Sequence, residues 1–130
     1  MHKRPILPAK LRRPPRQFSW VDQRLVREHH IDRLSHEACT LYLFLVTVAD
    51  AQGLSYYADH SLCQRLSLSP SLLHQARQLL ITQGLVAYQQ PLYQVLALET
   101  PQRDASARLQ GHDDTVDIKA VFQQIWEVLA

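Results

Sequence analysis

"SLSPSLLHQARQLLITQGLV", residues 67–86, is the stretch that decides the fold. Ser69 is a residue type that caps helix N-termini, and Pro70 suits a first helical turn because a backbone N–H there has no helical partner. Gly84 is typical of the residue that follows a helix C-terminus. The stretch therefore predicts a short turn followed by a helix that runs from Ser69 to Gln83.

The spacing of apolar residues in this stretch indicates which face of the helix is buried. Apolar side chains recur every three or four residues, as in an amphipathic helix, at Leu73, Ala76 and Leu80. This spacing leaves a polar outer face made of Ser71, His74, Gln75 and Gln78. Arg77 is the only charged residue in the stretch, so the helix offers little charge to a partner.

Residues upstream of the stretch predict three helices and a strand. Ser35 can cap a central helix over residues 38–50 that Gly53 ends, and Ser19 with Asp22 resembles a capping box. Asp59 is the predicted cap of a two-turn helix that ends at Leu66. The remaining elements are a short helix from about residue 20 to residue 28 and a small strand over residues 54–57.

Two short segments downstream, "LVAYQQ" and "YQVLAL", predict a tight hairpin. They lie on either side of Pro91, and their apolar residues alternate as in paired strands. The resulting class is mostly α with a small β-hairpin. Its order of elements is helix, strand, short helix, turn, longer helix and hairpin.

This order, together with "SLSPSLLHQARQLLITQGLVAY", resembles the winged helix-turn-helix domain. The preceding "LSHEACTLYLFLVTVADAQGLSYY" is similar to the first helix of such domains in bacterial transcription regulators and in replication initiators of plasmids and mobile elements. The resemblance covers residues 35–98, about half of the chain. It implies sequence-specific binding of double-stranded DNA, with the last helix in the major groove.

The charge of the chain is distributed unevenly. Residues 1–34 hold nine Lys or Arg against three Asp or Glu, residues 35–98 hold two against three, and residues 99–130 hold three against six. Most DNA affinity comes from neutralising phosphates, and residues 35–98 cannot supply that charge alone. A basic arm beside a helix that contacts bases is similar to the arrangement in homeodomains.

These considerations predict two groups of DNA-binding residues. The base-contacting group lies on the last helix and comprises Ser69, Ser71, His74, Gln75 and Gln78. The phosphate-contacting group is cationic and comprises Lys3, Arg4, Lys10, Arg12, Arg13, Arg16 and Arg77. The hairpin tip "QQPL" has no Lys or Arg, so it is not expected to hold phosphate strongly.

The predicted organisation has four parts. They are a basic, proline-rich arm over residues 1–17, a winged-helix domain with an extra N-terminal helix over 18–98, a polar linker over 99–114, and an amphipathic helix over 115–130. The last helix can fold back on the domain or pair with a second copy, and a homodimer is favoured because two half-sites multiply affinity. A cytoplasmic location is expected, because no apolar run could span a bilayer and no secretory signal is evident.

Alternative functions remain open. A winged helix can also bind a protein partner without contacting bases, and Leu72 and Leu79 suit such an adaptor. Two His-x-x-Cys pairs (residues 36 and 39, and residues 60 and 63) could form a tetrahedral zinc site, although both cysteines also suit a core. No catalytic residue, metal or cofactor is predicted, because no phosphate-binding glycine loop or nucleophile elbow is present.

Overall fold

A computed structural model describes residues 2–98, so the predicted linker (99–114) and C-terminal helix (115–130) lie outside the described residues. Four α-helices and three strands follow one another in that region. They are α1 (Arg24–Arg27), α2 (His36–Val48), β1 (Leu54–Tyr56), α3 (Asp59–Leu66), α4 (Pro70–Thr82), β2 (Val86–Gln89) and β3 (Leu92–Val95). Two short 3₁₀ turns cover Pro8–Lys10 and Ile31–Arg33. The architecture is mixed, with helices beside a small antiparallel sheet.

Helix α2 has the predicted Ser35 cap, but it begins and ends two residues earlier than the predicted range of 38–50. The Ser35 hydroxyl accepts a hydrogen bond from the backbone N–H of Ala38 at 3.1 Å, which satisfies one of the free N–H groups of the first turn. The helix ends at Val48 rather than at residue 50. The side chain of Asp50 instead closes a turn, because its carboxylate accepts from the backbone N–H of Gln52 at 2.8 Å and of Leu54 at 2.9 Å.

Gly53 belongs to that turn and does not end α2, which corrects the prediction. Its φ is +82°, and a Cβ built on it would lie 2.6 Å from the carbonyl oxygen of Val95. Glycine is therefore required at this position for two reasons: the backbone is left-handed, and β3 approaches too closely for a side chain. The Val95 N–H donates to the carbonyl of Gly53 at 2.8 Å across that approach.

Helices α3 and α4 agree closely with the sequence expectation. Helix α3 has the predicted bounds, but Ala58 holds its N-cap position, so Asp59 is the first helical residue and not the cap. Ser67 turns the chain in a left-handed conformation with φ of +54°. The Ser69 hydroxyl then accepts from the Leu72 N–H at 3.2 Å, and Gly84, with φ of +72°, follows the end of α4.

The three strands form one antiparallel sheet in the order β1–β3–β2. In its register, Ser55 lies opposite Tyr93 on one side of β3, and Tyr88 lies opposite Tyr93 on the other. The predicted hairpin is therefore present, and the predicted small strand joins it as a third member. Tyr93 occupies the central strand and is fully buried.

The core lies where α2 crosses α4 and where both helices meet the sheet. Leu25 joins it from α1 and Leu98 from the end of the described chain. Its fully buried large side chains come from α2, α3, α4 and the hairpin: Leu41, Leu45, Leu62, Leu73, Leu80, Leu85, Val86 and Tyr93. Ala76 is buried in α4, where a small residue allows α2 and α4 to approach closely.

Helix α1 is much shorter than predicted, a single turn instead of two. Gln23 holds the N-cap position, and the Asp22 carboxylate before it accepts from the Arg24 N–H at 2.9 Å, whereas the Ser19 hydroxyl donates to the Thr47 carbonyl at 2.8 Å. His29 has φ of +61°, which ends the helical path. Leu25 is the only buried residue between positions 20 and 28, so little packing supports a longer helix.

The N-terminal arm has no buried residue between positions 2 and 20. Its only regular structure is the 3₁₀ turn over Pro8–Lys10. None of the helices described in residues 2–98 is both long enough and apolar enough to cross a membrane.

The Ser69 cap gives a direct test of the turn that leads into α4. Ser69→Ala should lower the free energy of unfolding by about 1 kcal/mol, because the Leu72 N–H loses its acceptor. Ser71→Ala is the matched control, since Ser71 is exposed in the same turn and its hydroxyl bonds to no described residue. Urea denaturation of both variants should show a loss for position 69 alone; equal stability of the two would contradict the cap.

Candidate nucleic-acid interface

The outer face of α4 is polar, exposed and unpaired. Ser71, His74, Gln75 and Gln78 are all exposed, and within residues 2–98 none of their side chains forms a hydrogen bond. The buried face of the same helix carries Leu73, Ala76 and Leu80 against the core. The predicted separation of faces is therefore present, and the outward amide, hydroxyl and imidazole groups have donors and acceptors to offer.

Two neighbours of this face differ in their exposure. Ser69 is exposed, but its hydroxyl already accepts from the Leu72 N–H, so its capping bond limits what it can offer a ligand. Leu72 is 39% exposed. Leu79 is only partly accessible and packs against the core, so the prediction that Leu79 belongs to an exposed surface is wrong.

Arg77 lies on the inner side of α4, with only 7% of its surface exposed. Its Nη1 donates to Oδ1 of Asp59 at 2.8 Å and to the hydroxyl of Tyr93 at 2.9 Å. Its guanidinium carbon also lies 4.4 Å from the ring centroid of Tyr88, in cation–π geometry. One side chain thus joins α3, α4 and both strands of the hairpin. We refer to Arg77, Asp59, Tyr88 and Tyr93 as the Arg77 cluster.

The electrostatics of the Arg77 cluster keep the guanidinium charged. Burial alone would lower the pKa of Arg77, but the hydrogen bonds to Asp59 and Tyr93 outweigh it, so the pKa is raised. Burial likewise raises the pKa of Tyr93, although the adjacent guanidinium opposes that change. Arg77 is therefore cationic and Tyr93 is a neutral hydroxyl at neutral pH.

This geometry corrects the prediction that Arg77 contacts phosphate. The guanidinium is almost inaccessible, and its hydrogen bonds are directed into the protein. The spacing contained the signal, because position 77 lies four residues after Leu73 and three before Leu80 and so shares their face. The prediction was based on the positive charge of Arg77 and not on its helical spacing.

Arg65 is the cation that the sequence analysis missed. Of the two Lys or Arg side chains in residues 35–98, Arg77 is buried, and Arg65 is exposed in the last turn of α3. It lines a shallow cleft with Tyr57, Ser61 and Gln64, close to the turn that leads into α4. Arg65 is thus the side chain in this region that can contact a phosphate beside the α4 face.

The arm residues predicted to hold phosphate are exposed and unpaired. Within residues 2–98, no ion pair involves Lys3, Arg4, Lys10, Arg12, Arg13 or Arg16. No described hydrogen bond joins this arm to α4 either. The structure therefore leaves these six charges available but does not bring them to the α4 face.

Two further predictions from the sequence concern the His-x-x-Cys zinc site and the hairpin tip. Within residues 2–98, no three His, Cys, Asp or Glu side chains are grouped as a metal site would require. Cys39 and Cys63 are free thiols of intermediate burial. The hairpin tip, Gln90 and Pro91, is exposed and uncharged.

Comparison of the chain with protein-family models, with curated proteins and with solved structures gave no significant match. The α4 face, the Arg77 cluster and the arm are therefore the features of the described chain that bear on its function.

A substitution at Arg77 separates a structural role from a surface role. Arg77→Met keeps much of the apolar stem but leaves the buried Tyr93 hydroxyl without its partner, so we expect a loss of about 1–3 kcal/mol in unfolding free energy. Asp59 is half exposed, so loss of its ion pair contributes less to the change in unfolding free energy than loss of the Tyr93 hydrogen bond. Arg65→Met is the control, with an expected change within about 0.5 kcal/mol. Equal urea midpoints for the two variants would refute the structural role.

Proposed function

We propose that the chain is a winged helix-turn-helix protein that binds double-stranded DNA in a sequence-specific manner, with α4 in the major groove. The observation that carries the proposal is the exposed, unpaired polar face of α4. Gln can bond in a bidentate manner to adenine, and Ser and His can reach several base edges. An α-helix that presents such side chains fits the width of the major groove.

The arrangement of elements supports the proposal. Helix α3, the turn at Ser67 and helix α4 form a helix-turn-helix unit, and the β2–β3 hairpin follows it directly. The Arg77 cluster ties that hairpin to the inner side of α4. A helix fixed in this way presents its outer side chains with little rotational freedom, which favours discrimination between bases.

The proposal assigns the phosphate contacts to the arm and to Arg65. The α4 face itself carries no Lys, Arg, Asp or Glu. The six cations between Lys3 and Arg16 are exposed and can each release a counterion on binding a phosphate. The proposed role is a small regulator, or an accessory factor of replication or of a mobile element, and it involves binding rather than catalysis.

We include a homodimer in the proposal. Residues 35–98 carry little positive charge, so one copy would bind DNA weakly and a second copy would raise the affinity. Two copies that contact two half-sites combine their affinities and place the half-sites at a fixed spacing. Sedimentation of the chain with and without its selected duplex measures the copy number, and a single copy per duplex would contradict this part.

A second candidate function is that of a protein-binding adaptor, which the exposure of Leu72 on α4 favours. An adaptor would use the α4 face against a protein and would have no duplex preference. Selection from a pool of randomised duplexes separates the two functions, because only the DNA-binding function yields an enriched sequence.

Substitution of Gln75 and Gln78 tests whether the outer face of α4 contacts the bases. Replacing both with Ala should relax the preference for the selected duplex by about 1–3 kcal/mol per lost bidentate pair while leaving non-specific binding nearly intact. The control is the double change Gln52→Ala and Gln94→Ala, since both are exposed glutamines outside α4. Competition between selected and scrambled duplexes measures the preference. An unchanged preference in the α4 variant would show that Gln75 and Gln78 do not contact the bases.

The arm tests phosphate contact. Replacing its six Lys and Arg with Gln should weaken binding to every duplex and make the plot of log affinity against log salt shallower by up to about 0.9 per lost contact. The proline content and length of the arm stay the same, so the change isolates charge. A salt titration of electrophoretic shift measures the slope, and a wild-type slope in the variant would show that the arm holds no phosphate.

A further inference from the structure

Phe18 and Trp20 are exposed aromatic residues at the point where the arm joins the folded region. Phe18 is 61% exposed and Trp20 is 66% exposed. Large aromatic side chains are usually buried, so two of them at such exposure on either side of one residue mark a contact surface. Neither the proposed groove contact of α4 nor the core uses them.

The residue between them is anchored. The Ser19 hydroxyl donates to the backbone carbonyl of Thr47, near the C-terminus of α2, at 2.8 Å. Leu43, one helical turn before Thr47, is 61% exposed. The anchor holds this short segment against α2, while the flanking rings keep most of their surface in solvent.

The positive charge of the segment that contains the two rings indicates which kind of partner it can bind. Residues 2–21 contain six Lys or Arg and no Asp or Glu. Asp22, the nearest acid, is bound to Arg24 at 2.7 Å, which lowers the pKa of Asp22 and offsets its charge. Arg12, Arg13 and Arg16 lie two to six residues before Phe18 in the chain and are exposed, so the segment that leads to the two rings carries uncompensated positive charge.

This charge argues against a second copy of the chain at the same surface. A twofold interface places the same patch of both copies face to face, and here it would bring two strongly cationic arms together. An anionic polymer with exposed planar rings satisfies both features of the surface, the cations and the aromatics. Single-stranded nucleic acid has that chemistry, because its bases stack on aromatic side chains while its phosphates meet Lys and Arg.

We propose that Phe18 and Trp20, with Arg12, Arg13 and Arg16, form a site that stacks the unpaired bases of single-stranded DNA. The site is separate from the α4 face and needs no duplex. The choice of DNA over RNA rests on the proposed function, since a protein bound to a duplex would meet DNA strands that open beside it. Stacking is tolerant of sequence because every base has a flat face, so the site would hold a strand without a sequence preference.

Trp20 can report on the site directly. The sequence has two tryptophans, Trp20 and Trp126, so the full-length chain with Trp126→Phe retains Trp20 as its single indole. A twelve-residue oligothymidylate should quench the Trp20 fluorescence. An abasic strand of the same length should not, because it keeps the phosphates and lacks the rings. Equal quenching by the two strands would overturn the proposal.

Substitution then measures the energetic role of stacking. Trp20→Ala should weaken oligothymidylate binding about tenfold or more, while the slope of log affinity against log salt stays unchanged. Trp20→Phe should retain most of the affinity. Tyr56→Ala is the matched control, because Tyr56 is 71% exposed on β1 and outside the cationic arm. Circular dichroism confirms that each variant is folded, as expected for exposed positions.

Four further results would overturn the proposal. These are wild-type affinity in Trp20→Ala, an equal loss in Tyr56→Ala, tighter binding of oligouridylate than of oligothymidylate, and a change in oligomeric state without a change in strand affinity. The duplex preference of Trp20→Ala should equal that of the wild type. Failure of the single-strand site is therefore distinguishable from failure of base contact by α4.

Discussion

The buried guanidinium of Arg77 is the interaction on which the arrangement of the interface depends. It contacts a carboxylate from the start of α3, a phenol hydroxyl from β3 and an aromatic ring from β2. These partners are 11 to 18 residues away in sequence, so one side chain fixes three elements at once. Tyr88 and Tyr93, paired across the hairpin with ring centroids 4.5 Å apart, form the wall that receives it. The only cation of α4 is thereby used inside the protein, and this leaves the outer face of the helix neutral.

A neutral α4 face and a strongly basic arm imply a division of roles. The face offers hydrogen-bonding groups that can distinguish base edges, but it cannot attract a phosphate backbone over distance. The arm offers charge without fixed geometry, which suits attraction and does not by itself discriminate sequence. In the proposed complex Arg65, in the last turn of α3 near the turn into α4, would supply one phosphate contact between the two. Phe18 and Trp20 lie where the arm meets the folded region, so under the proposal a strand held by the arm would pass over them.

The sequence predicted those elements whose signals are local. The caps at Ser35 and Ser69, the positive φ after α4 and the alternation in the hairpin each depend on a few adjacent residues, and each agrees with the structure within two residues. The exposed polar side chains of α4 followed from helical spacing alone. Helix α1 was overestimated because the predicted capping signal at Ser19 and Asp22 is local, whereas the apolar side chains of Val21 and Val26 are exposed and provide no packing to extend the helix. Arg77 was misplaced because its charge was given more weight than its helical spacing, and the partners that compensate the charge come from elements that are distant in sequence. Gly53 was taken for a helix end because its approach to Val95 is likewise non-local.

The central claim is that DNA meets the outer face of α4 while Arg77 stays inside the protein. An NMR titration of the full chain with its selected duplex tests both halves in one experiment. The account predicts intermolecular contacts between the DNA and the side chains of Gln75 and Gln78, with the Arg77 guanidinium signals still showing contacts to Tyr93. Contacts from DNA phosphate to the Arg77 guanidinium, or DNA contacts that avoid α4 altogether, would contradict it.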